Sequence, residues 1–365
     1  MDSKKYMIFL MILFIILVSG TVFASETGIQ QHLTARSFAM GGAFTAQADN
    51  IEAVLYNPAA LVDAGLIGLN VNVGIELNNI SQFYEARNID DYINNNQYAN
   101  VIEHLPDDAS VNTQGLIGLK VDSFALTYNH KVEMSSQIEN NTASVDIIQS
   151  REGILSFANE IINPPLGLGA LSYGVNLKFF DIDKDIYQLT NNYNKQKDIS
   201  GRGFGLDLGL MAKLTDIFRV GYFLENAVST NVDLEGEKRE YIHDGDRWKF
   251  VDDNHNNDYT QEYSAETKSR IGASISIPLV NLTLAADIDD LFNQVHGQVL
   301  HMGLEKNFLF NAVSLRAGRI DSDYITYNTF GLGLNLTGFS MDTAFGFEGS
   351  SGSNLAAMIS VNALF

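Results

Sequence analysis

Few residues of this chain have the types and spacing that catalysis or cofactor binding requires. The seven histidines are scattered, and neither a Gly-x-Ser-x-Gly elbow nor a His-Glu-x-x-His motif occurs. The chain has no cysteine, which excludes thiolate nucleophiles, zinc–thiolate sites and a disulfide framework. We therefore predict no catalytic residue and no cofactor, and we expect a protein that is not an enzyme. A hydrolase with a Ser–His pair is the alternative.

Two local patterns resemble ligand sites without meeting their requirements. The glycine-rich run from Gly201 to Gly205 lacks the following helix and the Lys-Ser/Thr pair of a phosphate-binding loop, so we interpret it as strand. Asp287, Asp289 and Asp290 carry the oxygen ligands that calcium prefers, but their spacing does not match the helix-loop-helix calcium site. We predict no metal site and interpret these carboxylates as solvated loop charge.

Composition narrows the class of protein. The chain has 365 residues, of which 45% are hydrophobic and 18% charged, and its formal net charge is -21. Binding to nucleic acid requires clustered lysine and arginine, and no basic stripe is present, so we predict no nucleic-acid partner. The apolar content alone does not distinguish a packed core from a lipid-facing belt.

The N-terminus predicts export. A basic start precedes an apolar run over residues 7–18, which is too short to span a bilayer as a helix. Small residues follow this run and precede the bond between Ala24 and Ser25. We predict a signal peptide over residues 1–24, cleaved between Ala24 and Ser25, and an uncleaved anchor is the alternative.

Alternation of apolar and polar residues recurs along the chain after Leu66. From Ile67 to Leu77 every second residue is apolar, which is typical of a strand with one apolar face. Many such segments are longer than strands of globular sheets and long enough to cross a bilayer at a tilt. Including a weaker segment from Gly153 to Ile161, we predict an all-β fold, a transmembrane antiparallel barrel of about 14 strands over residues 65–365.

The connections between these strands alternate in length. Short turns such as 122–123, 278–281 and 337–338 are followed by longer and more polar connections, predicted at 78–112, 182–200, 229–262 and 291–297. Short turns on one rim and long loops on the other are typical of outer-membrane barrels, so we predict the cell outer membrane as the location and its lipid as a partner. The faces assigned to the lumen carry a polar set that suits water better than lipid tails: Asn70, Asn72, Glu76, Lys120, Asp207, Lys213, Asn335 and Asp342.

The stretch from Ala35 to Leu61 differs from the rest because it has little periodicity. It is rich in small residues, contains the pair Gly41-Gly42, and has a turn at Asn57-Pro58 just before the first strand. Proline fixes its own backbone and restricts the preceding residue, so this turn can hold a fixed bend. We predict that residues 25–64 form an N-terminal plug in the barrel. A periplasmic lead-in that packs under the barrel is the alternative.

This stretch also resembles a known family. Outer-membrane transport proteins for long-chain fatty acids and hydrocarbons, together with relatives associated with type IX secretion and TraF-like proteins, share an Arg-Ser-x-Ala-Met-Gly-Gly-Ala run, a later Asp or Asn, and an Asn-Pro-Ala turn. The matching residues are Arg36, Ser37, Ala39, Met40, Gly41, Gly42, Ala43, Asp49, Asn57, Pro58 and Ala59. The resemblance implies a plugged barrel that takes up small hydrophobic molecules, with plug or gating residues at Arg36, Met40, Gly41, Gly42, Asp49, Asn57, Pro58 and Ala59.

The C-terminus carries a second resemblance. The last ten residues alternate and end in Phe365, similar to the signal by which the barrel-assembly machinery recognises its substrates at an exposed strand edge. We predict that Phe365 is an assembly signal and that this machinery is a partner.

These observations favour a plug-gated outer-membrane transport protein for small, hydrophobic molecules. Two alternatives stay open because of the polar lumen. One is a relative of the type IX secretion shuttle that binds exported proteins at its outer loops, and the other is a general diffusion porin.

Overall fold

The computed structural model describes residues 34–79, 107, 109–162, 169–190, 193–243, 248–251, 258–290, 298–322, 326–349 and 354–364. The predicted signal peptide, its cleavage site between Ala24 and Ser25, and Phe365 lie outside these residues. Within the described part of the chain, no helix is long and apolar enough to cross a membrane.

Short helices come first and strands follow. Helices α1 (Ala35–Ala39) and α2 (Ala53–Tyr56) precede a 3-10 helix over Pro58–Asp63. The strands are β1 (Ile67–Asn78), β2 (Ala109–Val121), β3 (Phe124–Glu139), β4 (Thr142–Ile162), β5 (Ala170–Leu189), β6 (Tyr193–Lys213), β7 (Phe218–Ser229), β8 (Asn231–His243), β9 (Trp248–Phe250), β10 (Asp258–Ser264), β11 (Lys268–Ile277), β12 (Leu282–Asp289), β13 (Val299–Phe308), β14 (Val313–Asp321), β15 (Thr326–Leu336), β16 (Phe339–Glu348) and β17 (Leu355–Leu364).

Fourteen of these strands form a closed antiparallel barrel. The wall runs in chain order from β1 to β7, continues from β11 to β17, and closes where β17 pairs with β1. The predicted strand count is confirmed, and the weak segment from Gly153 to Ile161 lies in β4.

Strands β8, β9 and β10 extend the wall beyond the barrel. Strand β8 continues β7 and pairs with the part of β6 from Tyr193 to Ser200, while β10 pairs with β8. The prediction of long loops over 182–200 and 229–262 is therefore wrong for most of their length. The reason is that strands in the extension carry charged residues on their outer face, so they lack the apolar outer face by which the sequence analysis recognised barrel strands.

The barrel has two different ends. Turns at 122–123, 278–281 and 337–338 lie at one end, which we call the short-turn end, and β8 to β10 project from the other, the extension end. The β3–β4 connection at the extension end is also tight, because Asn140 and Asn141 both adopt positive φ, as a two-residue hairpin of this twist requires.

Burial along the wall strands is the reverse of that in a soluble protein. On β1 the apolar Leu69, Val71 and Val73 are 42–48% exposed, whereas Asn70 and Asn72 are at most 1% exposed. A strand that places its apolar side chains outside and its amides inside is stable only if the outside is lipid and the inside supplies hydrogen bonds. The prediction of a polar inner face is confirmed.

Candidate functional site inside the barrel

Residues 34–64, here called the N-terminal segment, lie across the barrel interior. Their side chains are almost all buried, including Phe38, Phe44 and Tyr56 at 0% exposure. The segment bonds to opposite sides of the wall: the Ala35 N–H donates to Asn72 Oδ1 on β1 at 3.0 Å, and the Phe44 N–H donates to Asp287 Oδ2 on β12 at 2.8 Å.

The Asn-Pro-Ala turn holds the segment to β6. The Asn57 side chain accepts from the Ala59 N–H at 3.1 Å and donates to the Leu210 carbonyl oxygen at 2.9 Å. Pro58 begins the 3-10 helix, where a missing N–H and a fixed φ are tolerated. The predicted fixed bend is therefore present, and its amide reaches the wall directly.

Inward glycines make room for the backbone of the segment. Three pairs face each other across neighbouring strands: Gly174 with Gly209, Gly221 with Gly272, and Gly303 with Gly318. A Cβ on Gly318 would lie 2.1 Å from the Gly41 nitrogen, and one on Gly174 would lie 2.2 Å from the Pro58 carbonyl carbon. No other residue type fits these positions without displacing the segment, and we call the three pairs the glycine belt.

Met40 and Gly41 lie where the segment approaches β13 and β14 most closely. Gly41 and Gly42 have φ values of +63° and +81°, a conformation that glycine adopts without steric cost. A Cβ on Gly41 would lie 2.5 Å from the Arg319 nitrogen. The Gly41 carbonyl oxygen accepts a hydrogen bond from Nδ1 of the buried His301 at 2.7 Å.

The predicted residues Arg36 and Asp49 form an ion pair with each other, and Arg36 continues to the wall. Its Nε lies 3.0 Å from Glu305 Oε2, and Glu305 in turn pairs with Arg316, which reaches Asp342. This chain of ion pairs lines a polar cavity of about 550 Å³ between the segment and the wall near the short-turn end. Arg36, Glu305, Arg316 and Asp342 have side chains at most 13% exposed. A buried charge is tolerated only when it is paired, so these four groups depend on one another.

The carboxylates interpreted as solvated loop charge have a different role. Asp287 is 1% exposed, and its Oδ2 accepts hydrogen bonds from the Phe44 and Thr45 N–H groups, both at 2.8 Å. Asp289 pairs with Arg270, with Nη2 to Oδ2 at 2.7 Å. The earlier interpretation is wrong for both residues, because β12 turns them into the barrel interior.

Strand β5 shows how the interior changes from the segment toward the extension end. Its inward residues are, in order, Gly174 under Pro58, Asn176, Lys178, Phe180 and Ile182. The Asn176 amide donates to the Val54 carbonyl oxygen and to Asp207. Lys178 Nζ lies 2.8 Å from Asp207 and 3.4 Å from Glu225, so one ammonium is held between two carboxylates.

An apolar cluster lies beyond these charges. Its buried members come from β5, β6 and β8 and are Phe180, Ile182, Ile199, Val232 and Leu234. Tyr259 and Tyr263 of β10 pack against them. The ring of Phe180 meets that of Tyr263 edge to face at 6.2 Å. The cluster is the inward face of the extension, on the far side of the charged groups from the segment.

Sequence analysis did not identify Lys178 or the apolar cluster as part of a site. The signal was present on β5, where the inward positions change from amide and lysine at 176 and 178 to Phe180 and Ile182 without a break in the alternation. That change is visible only if the strand is followed beyond Phe179, after which the outward residues become acidic.

Comparison with known proteins concerns mainly the fold. The family model described as "F plasmid transfer operon, TraF, protein" matches residues 108–289. Among curated proteins, no sequence matches the chain significantly.

Three solved structures resemble the barrel over nearly its whole length. The Pseudomonas putida toluene transporter TodX has 15% identity and a TM-score of 0.60, covering 93% of this chain and 100% of its own. The Ralstonia pickettii toluene transporter TbuX has 13% identity and a TM-score of 0.62, with 91% and 98% covered. A Pseudomonas aeruginosa FadL homologue has 12% identity and a TM-score of 0.60, with 90% and 97% covered. The resemblance inferred from the sequence is thus confirmed for the fold: this chain folds as a fourteen-stranded antiparallel barrel similar to the barrels of these transporters.

Proposed function

We propose that this protein is an outer-membrane transporter of small, uncharged hydrophobic molecules, and that its N-terminal segment closes the barrel. The proteins of similar fold are transport channels rather than enzymes, and two of them are toluene transporters.

The outer surface supports residence in a membrane. On β5 the outward residues are apolar up to Phe179, which is 59% exposed, and the next three, Asp181, Asp183 and Asp185, are acidic. On β6 the change lies between Phe204 and Arg202, whose side chain is 84% exposed. Such an aromatic boundary followed by charge is typical of the interface between lipid and water in outer-membrane barrels. The short-turn end then faces the periplasm and the extension faces outward.

The apolar cluster is the observation that carries the proposed cargo. Its side chains are at most 7% exposed and pack against one another on the extension-end side of the charged groups, so a molecule that enters from outside and binds there replaces contacts within the cluster. Binding there removes apolar surface of the cargo from water, which contributes about 25 cal/mol per Å².

The charged groups next to the cluster favour uncharged cargo over carboxylates. Lys178 is already held by Asp207 and Glu225, and Glu152 adds a further negative charge near it. An anionic head group placed at Lys178 meets at least two carboxylates, so it is repelled. A neutral molecule incurs no such cost.

The alternatives fit the interior less well. A general diffusion porin needs an open lumen, whereas the N-terminal segment crosses this one and rests on the glycine belt. A relative of the type IX secretion shuttle needs a protein-binding surface at its outer loops, and the residues that favour cargo binding here face inward.

A reversible lock tests whether the segment must move for transport. Ser274 Oγ on β11 donates to the Ala46 carbonyl oxygen at 3.2 Å, and the parent chain has no cysteine, so the double variant Ala46→Cys/Ser274→Cys can be oxidised selectively. We expect uptake of labelled toluene into proteoliposomes to stop on oxidation and to recover on reduction. The two single variants are the controls. Unchanged uptake in the oxidised double variant, with the crosslink verified by mass spectrometry, would show that cargo does not need this movement.

A second experiment tests the cargo site. Replacing Ile182 by Asn removes an inward apolar side chain, and Tyr187→Asn on the outward face of the same strand is the matched control. Loss of one buried side chain lowers affinity by about tenfold. We expect a higher half-saturating toluene concentration for the first variant alone. Equal behaviour of the two variants would contradict the placement of cargo at the cluster.

A further inference from the structure

Closing the barrel brings together strands from opposite ends of the chain. Most neighbouring wall strands are consecutive and form hairpins, but β1 must pair with β17, with Asn70 directly opposite Asn362. The entropic cost of bringing two chain segments together grows with the length of the loop between them. The β1–β17 pair has the longest loop in the barrel.

The N-terminal segment contacts the C-terminal strands next to β17. A Cβ on Gly346 of β16 would lie 2.4 Å from Phe38 Cζ, and one on Gly331 of β15 would lie 2.4 Å from the Ala39 Cβ. A Cβ on Gly318 of β14 would lie 2.1 Å from the Gly41 nitrogen. The segment ends only a few residues before β1 begins, so a segment docked on β14 to β16 necessarily places β1 near β17.

The seam itself is bonded to the segment from inside. The Asn70 amide of β1 donates to Glu52 Oε1 of the segment at 3.1 Å and to Asn362 Oδ1 of β17 at 2.6 Å. Asn72 of β1 accepts from the Ala35 N–H. Asn70, Asn72 and Asn362 are at most 1% exposed. Buried polar groups that lose a partner are costly, so the segment stabilises the inner face of this seam through its bonds to Asn70 and Asn72.

We propose that the N-terminal segment is the template on which the barrel closes, holding β14 to β16 through Phe38 to Gly41 and aligning Asn70 of β1 with Asn362 of β17. The segment therefore acts before transport, during folding. A bystander that entered a finished barrel would not affect the rate of closure, which distinguishes this proposal from a plug role alone.

Two glycine-to-alanine substitutions distinguish a loss of the template role from a general loss of stability. Gly346→Ala places a Cβ against Phe38 and disturbs docking on the C-terminal strands. Gly118→Ala on β2 places a Cβ 2.7 Å from Ile51 Cγ2 of the segment, but β2 is already joined to the β1 side. In the double variant Gly346→Ala/Phe38→Leu, the smaller leucine side chain makes room for the alanine Cβ at position 346.

The measurement is refolding of the full chain from urea into detergent micelles, with closed barrel followed by its faster migration on gels without boiling. We expect Gly346→Ala to slow closure by about tenfold, Gly118→Ala to leave the rate within about twofold of the parent, and Phe38→Leu to restore the rate of Gly346→Ala. Equal slowing by both glycine variants, or no slowing by either, overturns the proposal. If Gly346→Ala yields no closed barrel at all, recovery in the double variant supports the template and failure of recovery refutes it.

Discussion

At the scale of single residues, inward-facing glycines of the wall determine where the N-terminal segment fits inside the barrel. The paired glycines of the belt have no side chain, and atoms of the segment lie within 3.0 Å of the positions where their Cβ atoms would be. Strand glycine normally weakens a sheet, so a glycine in this position indicates close backbone approach. Gly331 of β15 is a further case, because a Cβ there would lie 2.4 Å from the Ala39 Cβ. The cross-strand pairing of the glycines required the register, which one sequence does not show.

Gly318→Ala tests the close approach. The added methyl group would lie 2.1 Å from the Gly41 nitrogen, whereas the same change at Gly115 of β2 meets no atom within 4 Å. Overpacking of this kind costs about 1–3 kcal/mol. We expect a lower unfolding midpoint in guanidinium chloride for Gly318→Ala and an unchanged one for Gly115→Ala. Equal midpoints would mean that the segment does not rest on this glycine.

Glu52 provides a pH-dependent test of burial. Burial raises the pKa of the Glu52 carboxyl above its ordinary value of 4.5, even though Thr34 donates to it at 2.7 Å. Because the folded state binds this proton more tightly than the unfolded chain, the contribution of Glu52 to stability is complete below the unfolded pKa and is lost as the pH rises through the folded pKa.

Glu52→Gln, which cannot ionise, should therefore be more stable than the parent at about pH 8 and lose this advantage toward about pH 4. Guanidinium unfolding at several pH values measures the difference. An advantage that grows as the pH falls would show that the charged form of Glu52 is the stabilised one.

At the scale of elements, the sequence predicts strands well where lipid covers one face. Strand β1 alternates over its whole length because its outer face is apolar and its inner face polar. Strands β5, β6 and β8 lose this pattern beyond residues such as Phe179, where water replaces lipid outside and apolar side chains turn inward. The pattern is then that of a soluble sheet, and the charged outer face was misinterpreted as a loop.

Deleting the extension tests whether the barrel wall closes without it and whether cargo uptake depends on it. Strand β7 pairs directly with β11, so replacing residues 230–267 by a short turn leaves the barrel hydrogen bonds in place. We expect a closed barrel that keeps its heat-modifiable migration, but slower toluene uptake because Val232 and Leu234 are lost from the cluster. A variant that fails to close would show that the extension supports the wall, and normal uptake would show that cargo does not need β8.

At the scale of the whole molecule, the reversal of inside and outside made the barrel predictable. Polar residues on one face of each strand and apolar residues on the other indicated a closed barrel, and the alternating connections indicated its two ends. The contacts of Arg36 with Glu305 and of Asp287 with Phe44 could not be predicted from the sequence, because they join residues far apart in the chain.

The final prediction concerns conductance, a property of the closed barrel as a whole. The segment bonds to both sides of the wall, so we expect the parent protein to show little ion current in planar bilayers. Asp287→Ala leaves the Phe44 and Thr45 N–H groups without their acceptor, which costs about 1–3 kcal/mol per buried group. The variant should therefore open more often.

Asp216→Ala, which removes an exposed carboxylate at the short-turn end, is the matched control and should stay closed. Heat-modifiable migration of all three proteins would establish that the barrels are intact. A large, steady current through the parent would mean that the segment does not seal the lumen, and a diffusion porin would then be the better description.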